Sequence, residues 1–259
     1  MLAWFASRDV VTALWMAVSA AAPDTAVPID KMDAYIKDLP QARRSALVES
    51  YVWTSLMFPG TLKYRTPPQI YVTCPKDGCA PAAIDSLETL QSHAPGAIGR
   101  LTGTANTSGI EVYMAPEPEE FTRRDHDTDA LLRLDAHITT RTIMNFGPAA
   151  SGHLAAPCWT VMYYDKRTGV IEKSLIFIDS DAASHLQSLC MAFELVRASG
   201  VVSTPGVRLY HKFKPPANTQ VLDLAVTAYL HGLPAIRPGD KYEKILSVLE
   251  NRYGLDESR

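Results

Sequence analysis

The stretch from residue 158 to residue 200 decides the fold; it begins Cys158-Trp-Thr-Val-Met-Tyr-Tyr164 and ends Leu189-Cys-Met-Ala-Phe-Glu-Leu-Val-Arg-Ala-Ser-Gly200. Residues 158–164 and 170–178 are rich in β-branched and aromatic side chains, and the glycine-containing segment 165–169 between them predicts a hairpin turn. From residue 185 to residue 199 apolar side chains recur at helical spacing, and Gly200 is suited to end a helix. The stretch therefore predicts a β-hairpin followed by a helix.

Segments on both sides of this stretch also show helical or strand periodicity. Apolar spacing predicts helices at 29–58 (interrupted at Pro40), 81–93, 222–230 and 240–253, and short β-rich runs predict strands at 69–73 and 109–114. We therefore expect a single α+β domain with an antiparallel meander or mixed sheet, a central helix at 185–199, and helical N- and C-terminal segments.

Composition and charge exclude several classes of protein. The 259 residues are 47% hydrophobic and 20% charged, a balance that is typical of a globular domain and not of a disordered chain. The formal net charge is -3, so the chain lacks the excess of positive charge with which proteins bind nucleic acid, and no nucleic acid partner is expected. No apolar run reaches the roughly 20 residues that span a bilayer, so no transmembrane span is expected in the mature chain.

The N-terminus has the features of a secretory signal peptide. Arg8 precedes the apolar segment 10–22, which ends in small residues that suit cleavage. Asp9 is unusual in such a signal, and the alternative is a buried first helix. The chain then divides into a signal peptide at 1–22, a leader and N-terminal helical segment at 23–58, an α+β domain at 59–253 and a tail at 254–259. This division predicts a periplasmic or secreted protein.

The four cysteines suggest two disulfides, and four cysteines allow three pairings. Cys74 and Cys79 enclose Pro-Lys-Asp-Gly, a turn that brings their sulfurs together. Cys158 and Cys190 are then left to pair with each other. Two alternatives remain: four free thiols in a cytosolic protein, or a zinc site at Cys74 and Cys79, which lacks a second cysteine pair or a histidine nearby.

Sequence motifs for cofactor binding or hydrolysis are missing from the chain. The seven histidines include no pair four residues apart, the spacing with which one helix holds a zinc ion. There is no Gly-x-Ser-x-Gly nucleophile turn, no phosphate-binding loop and no Gly-x-Gly-x-x-Gly dinucleotide motif. No cofactor is therefore expected.

One segment aligns with the zinc-peptidase pattern His-Glu-x-x-His-x-x-Gly. Glu194 and Gly200 are in register with it, whereas Phe193 and Arg197 occupy the positions of two metal ligands. Phenylalanine has no lone pair for zinc, and arginine stays protonated in proteins. Glu194 can instead pair with Arg197, three residues further along the helix. Glu194 and Arg197 are therefore the candidate site residues, with no metal between them.

From about residue 60 to about residue 250 the chain resembles an exported bacterial family, the domain of unknown function numbered 2927. The family pattern has a cysteine, a β-hairpin, and a second cysteine that opens a helix of the form Cys-x-x-Glu-Glu-Leu-x-x-x-Leu-Gly. The matching parts are Cys158, the hairpin 159–178, the helix from Cys190 to Gly200, and the later segments 218–230 and 234–240. The first family glutamate is Phe193 here, and the family leucine before glycine is Ser199.

The resemblance implies a zincin-like fold that has lost its zinc, export from a bacterium, and a Cys158–Cys190 disulfide. It implies no reaction. Its contribution beyond the residue patterns is therefore a fold, a compartment and one pairing of cysteines.

The residue patterns and the resemblance support three hypotheses for the function. The first is a non-catalytic, zincin-like pseudo-peptidase that binds a peptide or protein partner in the cell envelope. The second is a metal-dependent hydrolase with an atypical ligand set drawn from His185, His211 and Glu194. The third is a structural or assembly factor of an envelope or secretion system that acts through the helical segment 30–58.

Overall fold

The computed structural model describes residues 29–55, 60–103, 108–116, 158–165, 167–201 and 219–255. The expected signal peptide at 1–22 and the candidate ligand His211 lie outside these residues. The tail expected at 254–259 is described only as far as Leu255.

Six helices lie in the described residues, close to the predicted positions. They are α1 (Ile29–Asp38), α2 (Gln41–Ser55), α3 (Pro81–His93), α4 (Ser184–Ala198), α5 (Thr219–Gly232) and α6 (Tyr242–Tyr253). Pro40 separates α1 from α2 as predicted, because proline has no N–H to continue the first helix. Its carbonyl accepts the N–H groups of Arg43 and Arg44 and so begins the second. The central helix expected at 185–199 is α4.

In the part of the chain that the structure describes, the sheet is mixed and has five strands in the order β2-β1-β3-β5-β4. The strands are β1 (Gln69–Thr73), β2 (Arg100–Leu101), β3 (Gly109–Ala115), β4 (Cys158–Tyr164) and β5 (Ile171–Asp179). Only β4 and β5 pair antiparallel, while β1 pairs parallel with β2 and β3, and β3 pairs parallel with β5. The mixed sheet is confirmed, and the antiparallel meander is wrong outside the hairpin. The reason is the connection from β1 to β3, which contains α3 and so crosses over instead of turning back.

A single large core joins the sheet to all six described helices. Buried apolar residues include Met32 of α1, Val52 of α2, Ile176 of β5, Leu195 of α4 and Leu249 of α6. Residues 29–55, the described part of the N-terminal helical segment expected at 23–58, thus pack in the same core as the rest of the described residues. Helix α4 contacts α3, α5, β4 and β5, so it occupies the centre of the domain.

The opposite face of the sheet carries a smaller apolar cluster. Val161, Tyr163, Leu175 and Phe177 are buried there, and the ring of Tyr113 stacks on Phe177 at 5.5 Å between centroids. Alternate residues of β4 therefore face two different apolar environments, as expected for a strand that is covered on both sides.

Candidate functional site

Glu194 lies on the face of α4 that packs against β4. Its Oε1 atom is 2.6 Å from Nη1 of Arg197, and the Thr160 hydroxyl donates a hydrogen bond of 2.6 Å to Oε2. Only 3% of Glu194 and 7% of Arg197 is exposed. Both carboxylate oxygens are therefore engaged by protein groups beneath the hairpin strand.

The electrostatics of this glutamate are those of a buried ion pair. Burial raises the pKa of Glu194, while the Arg197 guanidinium and the Thr160 hydroxyl oppose the shift. Phe193, at the position of the first metal ligand, is half-buried and packs against the core. The Phe193 ring thus packs against apolar neighbours, and Glu194 and Arg197 pair their charges beneath β4.

The weaker metal candidate His185 lies far from Glu194 on the same helix. His185 and Glu194 lie nine residues apart on α4, which places them about 14 Å apart along the helix axis. Two ligands of one metal ion cannot be that far apart. Within the described ranges, no group of three or more His, Cys, Asp or Glu side chains is placed to hold a metal ion.

The disulfide Cys158–Cys190 clamps α4 onto β4 beside the ion pair. Cys158 and Thr160 point to the same side of their strand, and Cys190 and Glu194 lie one helical turn apart on the same helix face. Cys190 is fully buried. The covalent bond and the Thr160–Glu194 hydrogen bond therefore run side by side across one helix–strand contact.

The second predicted disulfide, Cys74–Cys79, is also formed. It closes the short loop between β1 and α3, in which the Gly78 N–H bonds to the Pro75 carbonyl at 2.9 Å. Cys74 is exposed, and Cys79 is half-buried. Both pairs agree with the pairing predicted from the sequence.

A cleft opens where the parallel strands β1, β3 and β5 begin. This amino-edge cleft has a volume of about 480 Å³, and its lining includes Arg65, Thr66, Gln69, Ser108 and Glu172. All five of these residues are exposed. The cleft therefore offers one positive group, one negative group and several neutral hydrogen-bonding groups to solvent.

The floor of the amino-edge cleft is tightly fixed. The buried Tyr64 hydroxyl lies within hydrogen-bonding distance of the Gly109 carbonyl (3.0 Å) and of the Ser174 hydroxyl (2.8 Å). Gly109 has φ +114°, and a Cβ on it would lie 2.4 Å from the Gln69 carbonyl oxygen, so glycine is required there. These contacts hold the starts of β1, β3 and β5 in one arrangement.

A smaller cavity lies at the other edge of the sheet, where β1, β3 and β5 end. This carboxyl-edge cavity has a volume of about 220 Å³, and its lining includes Asp77, Gly78, Met114, Asp181 and Gln187. The Cys74–Cys79 loop contributes Pro75, Asp77 and Gly78 to its wall. Its character is acidic, since Asp77 and Asp181 are both exposed.

A buried polar group links α2 to α5. His231 is fully buried, with Nδ1 3.1 Å from the Tyr51 hydroxyl and Nε2 3.0 Å from the Ser199 carbonyl. Burial and the nearby charge of Lys63 lower the pKa of His231 to about 3. Lys63 donates to the carbonyls of Leu233 and Ile236 at the end of α5, and burial lowers its pKa to about 8.

Sequence reasoning missed both the amino-edge cleft and this buried network. The signal for the cleft was the run Tyr64-Arg-Thr-Pro-Pro68, a polar, proline-containing segment directly ahead of a strand. No comparable signal marked His231 or Lys63, because the spacing of apolar residues does not reveal a polar residue that makes its hydrogen bonds inside the core.

None of the helices in the described ranges combines the length and the apolar character that crossing a membrane demands. The chain matches no protein-family model, and no curated protein or solved structure matches it significantly. Its function is therefore inferred from its own residues and their geometry.

Proposed function

We propose that this chain is an exported, non-catalytic domain that binds a peptide or protein partner in the cell envelope. The observation that carries the proposal is the engagement of Glu194 by Arg197 and Thr160 under β4. A peptidase glutamate needs a free carboxylate beside a metal-activated water. Here the carboxylate is buried and both of its oxygens have partners. This arrangement favours a structural role for the peptidase-like residues of the helix over a catalytic one.

The energetic cost of freeing Glu194 supports the same conclusion. Moving the Glu194 carboxylate away from Arg197 would break a buried ion pair, and breaking such a pair typically costs about 3–5 kcal/mol. A catalytic cycle that used Glu194 as a base would meet this cost at each turnover. The ion pair is therefore best understood as part of the scaffold.

Of the two cavities described above, the amino-edge cleft suits a peptide better. Its volume of about 480 Å³ falls in the range of binding sites for small ligands and short segments. Arg65 and Glu172 offer opposite charges, and the neutral groups between them can pair with backbone amides. The rigid floor around Tyr64 and Gly109 lowers the entropic cost of binding, because little has to become ordered.

Export is supported by the two disulfides. Disulfides persist in oxidising compartments such as the bacterial periplasm and are rare in the cytosol. Cys74–Cys79 and Cys158–Cys190 account for all four cysteines.

Peptide selection with matched charge variants tests the binding proposal. Peptides enriched from a random library on the purified chain should bind Arg65→Glu and Glu172→Lys at least about tenfold more weakly, a loss of about 1.4 kcal/mol. The control Glu88→Lys changes an exposed residue of α3 and should leave the affinity unchanged. The proposal would be contradicted if the selection enriched no peptide, or if the enriched peptides bound both cleft variants as tightly as the wild-type chain.

Zinc content and proteolysis test the non-catalytic part separately. The purified chain should hold far less than one zinc per molecule, and it should cleave a casein substrate no faster than Glu194→Gln does. Stoichiometric zinc together with cleavage that depends on Glu194 would establish the metal-dependent hydrolase instead.

A further inference from the structure

The two disulfides of this chain lie in contrasting surroundings. Cys158 and Cys190 are both buried in the core between β4 and α4. Cys74 is exposed, and its bond to Cys79 lies in a surface loop at the edge where the parallel strands end. The second bond therefore lies closer to solvent than the first.

The loop around Cys74–Cys79 is built so that the sulfurs stay close when the bond opens. Strand β1 ends one residue before Cys74, and α3 begins two residues after Cys79. The Cα atoms of the two cysteines are 4.9 Å apart, and the Pro75–Gly78 turn bond lies between them. Because β1 and α3 are anchored in the core, opening the bond leaves two neighbouring thiols and an otherwise intact fold.

The position of α3 favours Cys79 as the leaving group. Cys79 precedes the helix N-terminus, and the N-cap residue Ala80 has no side chain that accepts from the first N–H groups. The dipole of a helix stabilises a thiolate close to its N-terminus, and a stabilised thiolate leaves faster in disulfide exchange.

We propose that Cys74–Cys79 is a redox-active disulfide that exchanges with the thiols of a partner protein or peptide. A partner thiolate attacks Sγ of Cys74, the more exposed of the two residues, the Cys74–Cys79 bond breaks, and Cys79 leaves as a thiolate. A second partner thiol, as its thiolate, attacks the mixed disulfide on its own sulfur, and Cys74 leaves. The partner dithiol has then lost two electrons to form a disulfide, and Cys74 and Cys79 hold them as two thiols. A second disulfide compound reoxidises the pair by the reverse steps.

The carboxyl-edge cavity supplies a place for the partner chain. It adjoins the loop, and Asp77 and Asp181 give its rim a negative charge. A thiol that is flanked by basic residues should therefore approach more readily than one that is flanked by acidic residues. This proposal does not depend on the amino-edge cleft, which lies at the opposite edge of the sheet.

Reduction in graded glutathione buffers, with Cys158–Cys190 as the internal control, is the first test. The full chain is equilibrated, quenched with acid and alkylated, and the two pairs are followed by peptide mass mapping. Cys74–Cys79 should open at a reduced-to-oxidised ratio at least about tenfold lower than Cys158–Cys190, with an unchanged circular dichroism spectrum. If both pairs open together, or only when the chain unfolds, the proposal is wrong.

Trapping of the mixed disulfide tests the roles of the two sulfurs. When the wild-type chain reacts with limiting reduced glutathione and is quenched with acid, peptide mass mapping should find glutathione on Cys74 at least about tenfold more often than on Cys79. Equal or reversed occupancy would overturn the assigned direction of attack. With wild-type protein, a dithiol peptide that carries lysines should be oxidised faster than its glutamate counterpart, and Asp181→Asn should narrow the difference. No oxidation of either peptide would refute exchange with partner thiols.

Discussion

Thr160 and Glu194 are joined by a hydrogen bond of 2.6 Å that ties β4 to α4. The contact lies one helical turn from the Cys158–Cys190 disulfide and next to the Arg197 ion pair. The segment of the chain that most resembles a peptidase helix is therefore also one of the most heavily cross-linked parts of the structure. The disulfide and the Thr160–Glu194 hydrogen bond hold α4 against β4.

Removing the charge of Glu194 should destabilise the fold. Glu194→Gln removes the negative charge that lies 2.6 Å from the buried Arg197 guanidinium, and we expect a loss of about 3 kcal/mol in the free energy of unfolding. Adding Arg197→Met should recover most of the loss, since replacing a buried ion pair by packed apolar atoms is often neutral. Urea titration measures both. A Glu194→Gln variant with wild-type stability would show that the pair is not a structural element.

The two disulfides should contribute unequally to stability. They close loops with sequence separations of 32 and 5 residues, for which the chain-entropy relation gives about 4 and about 2 kcal/mol. Denaturant titration of Cys158→Ala/Cys190→Ala and of Cys74→Ala/Cys79→Ala compares them directly. Cys158→Ala/Cys190→Ala should lose clearly more free energy of unfolding than Cys74→Ala/Cys79→Ala. A larger loss in Cys74→Ala/Cys79→Ala would contradict the structural role of the buried bond.

Local patterns predicted the helices and most of the strands, because these depend on signals within a few residues. Pro40, the 165–169 turn and Gly200 each mark a boundary by backbone chemistry alone. The parallel pairing of β1 with β3 was not predictable in this way, since it depends on where the chain goes between residues 74 and 108. The two-residue strand β2 is too short to carry any periodicity.

The sequence predicted which residues form the candidate site, but it did not predict what surrounds them in the fold. The spacing of Glu194 and Arg197 predicted their ion pair, and the structure contains it at 2.6 Å. Its burial depends on Thr160, 34 residues earlier in the chain. The amino-edge cleft likewise combines residues near 65, 108 and 172, which only the folded sheet brings together.

His231 should make the fold sensitive to acid between about pH 6.5 and pH 3. Burial, reinforced by Lys63, lowers its pKa to about 3 in the folded chain, against about 6.5 in an unfolded one. Between these two pH values His231 is protonated in the unfolded state and neutral in the folded state. The contribution of neutral His231 to the free energy of unfolding is therefore complete above pH 6.5, and it falls by up to about 1.4 kcal/mol per pH unit below that value. His231→Gln should remove this part of the slope, and His185→Gln should keep it because His231 is unchanged. Equal slopes in all three proteins, measured by urea titration across this range, would rule out the mechanism.

Asp33 should contribute stability in a lower pH range. Burial acts to raise its pKa, but hydrogen bonds from Arg252, Tyr253 and Tyr229 outweigh burial and hold the pKa below its ordinary value. These bonds join α1 to α5 and α6. A lowered pKa means that the stabilisation is complete above the unfolded value near 4 and is lost as the pH falls through the folded value.

The matched pair Asp33→Asn and Asp38→Asn separates this network from a general effect of charge on α1. At pH 7 Asp33→Asn should lose about 1 kcal/mol, a figure kept small because Arg252 is partly exposed and solvent screens the pair. The difference from wild type should shrink as the pH falls below about 4, because wild-type Asp33 then becomes neutral as well. Asp38 is exposed on the same helix, and Asp38→Asn should match wild type throughout. A loss in Asp33→Asn that persists undiminished near pH 2 would mean that the side chain acts through its shape and not through its charge.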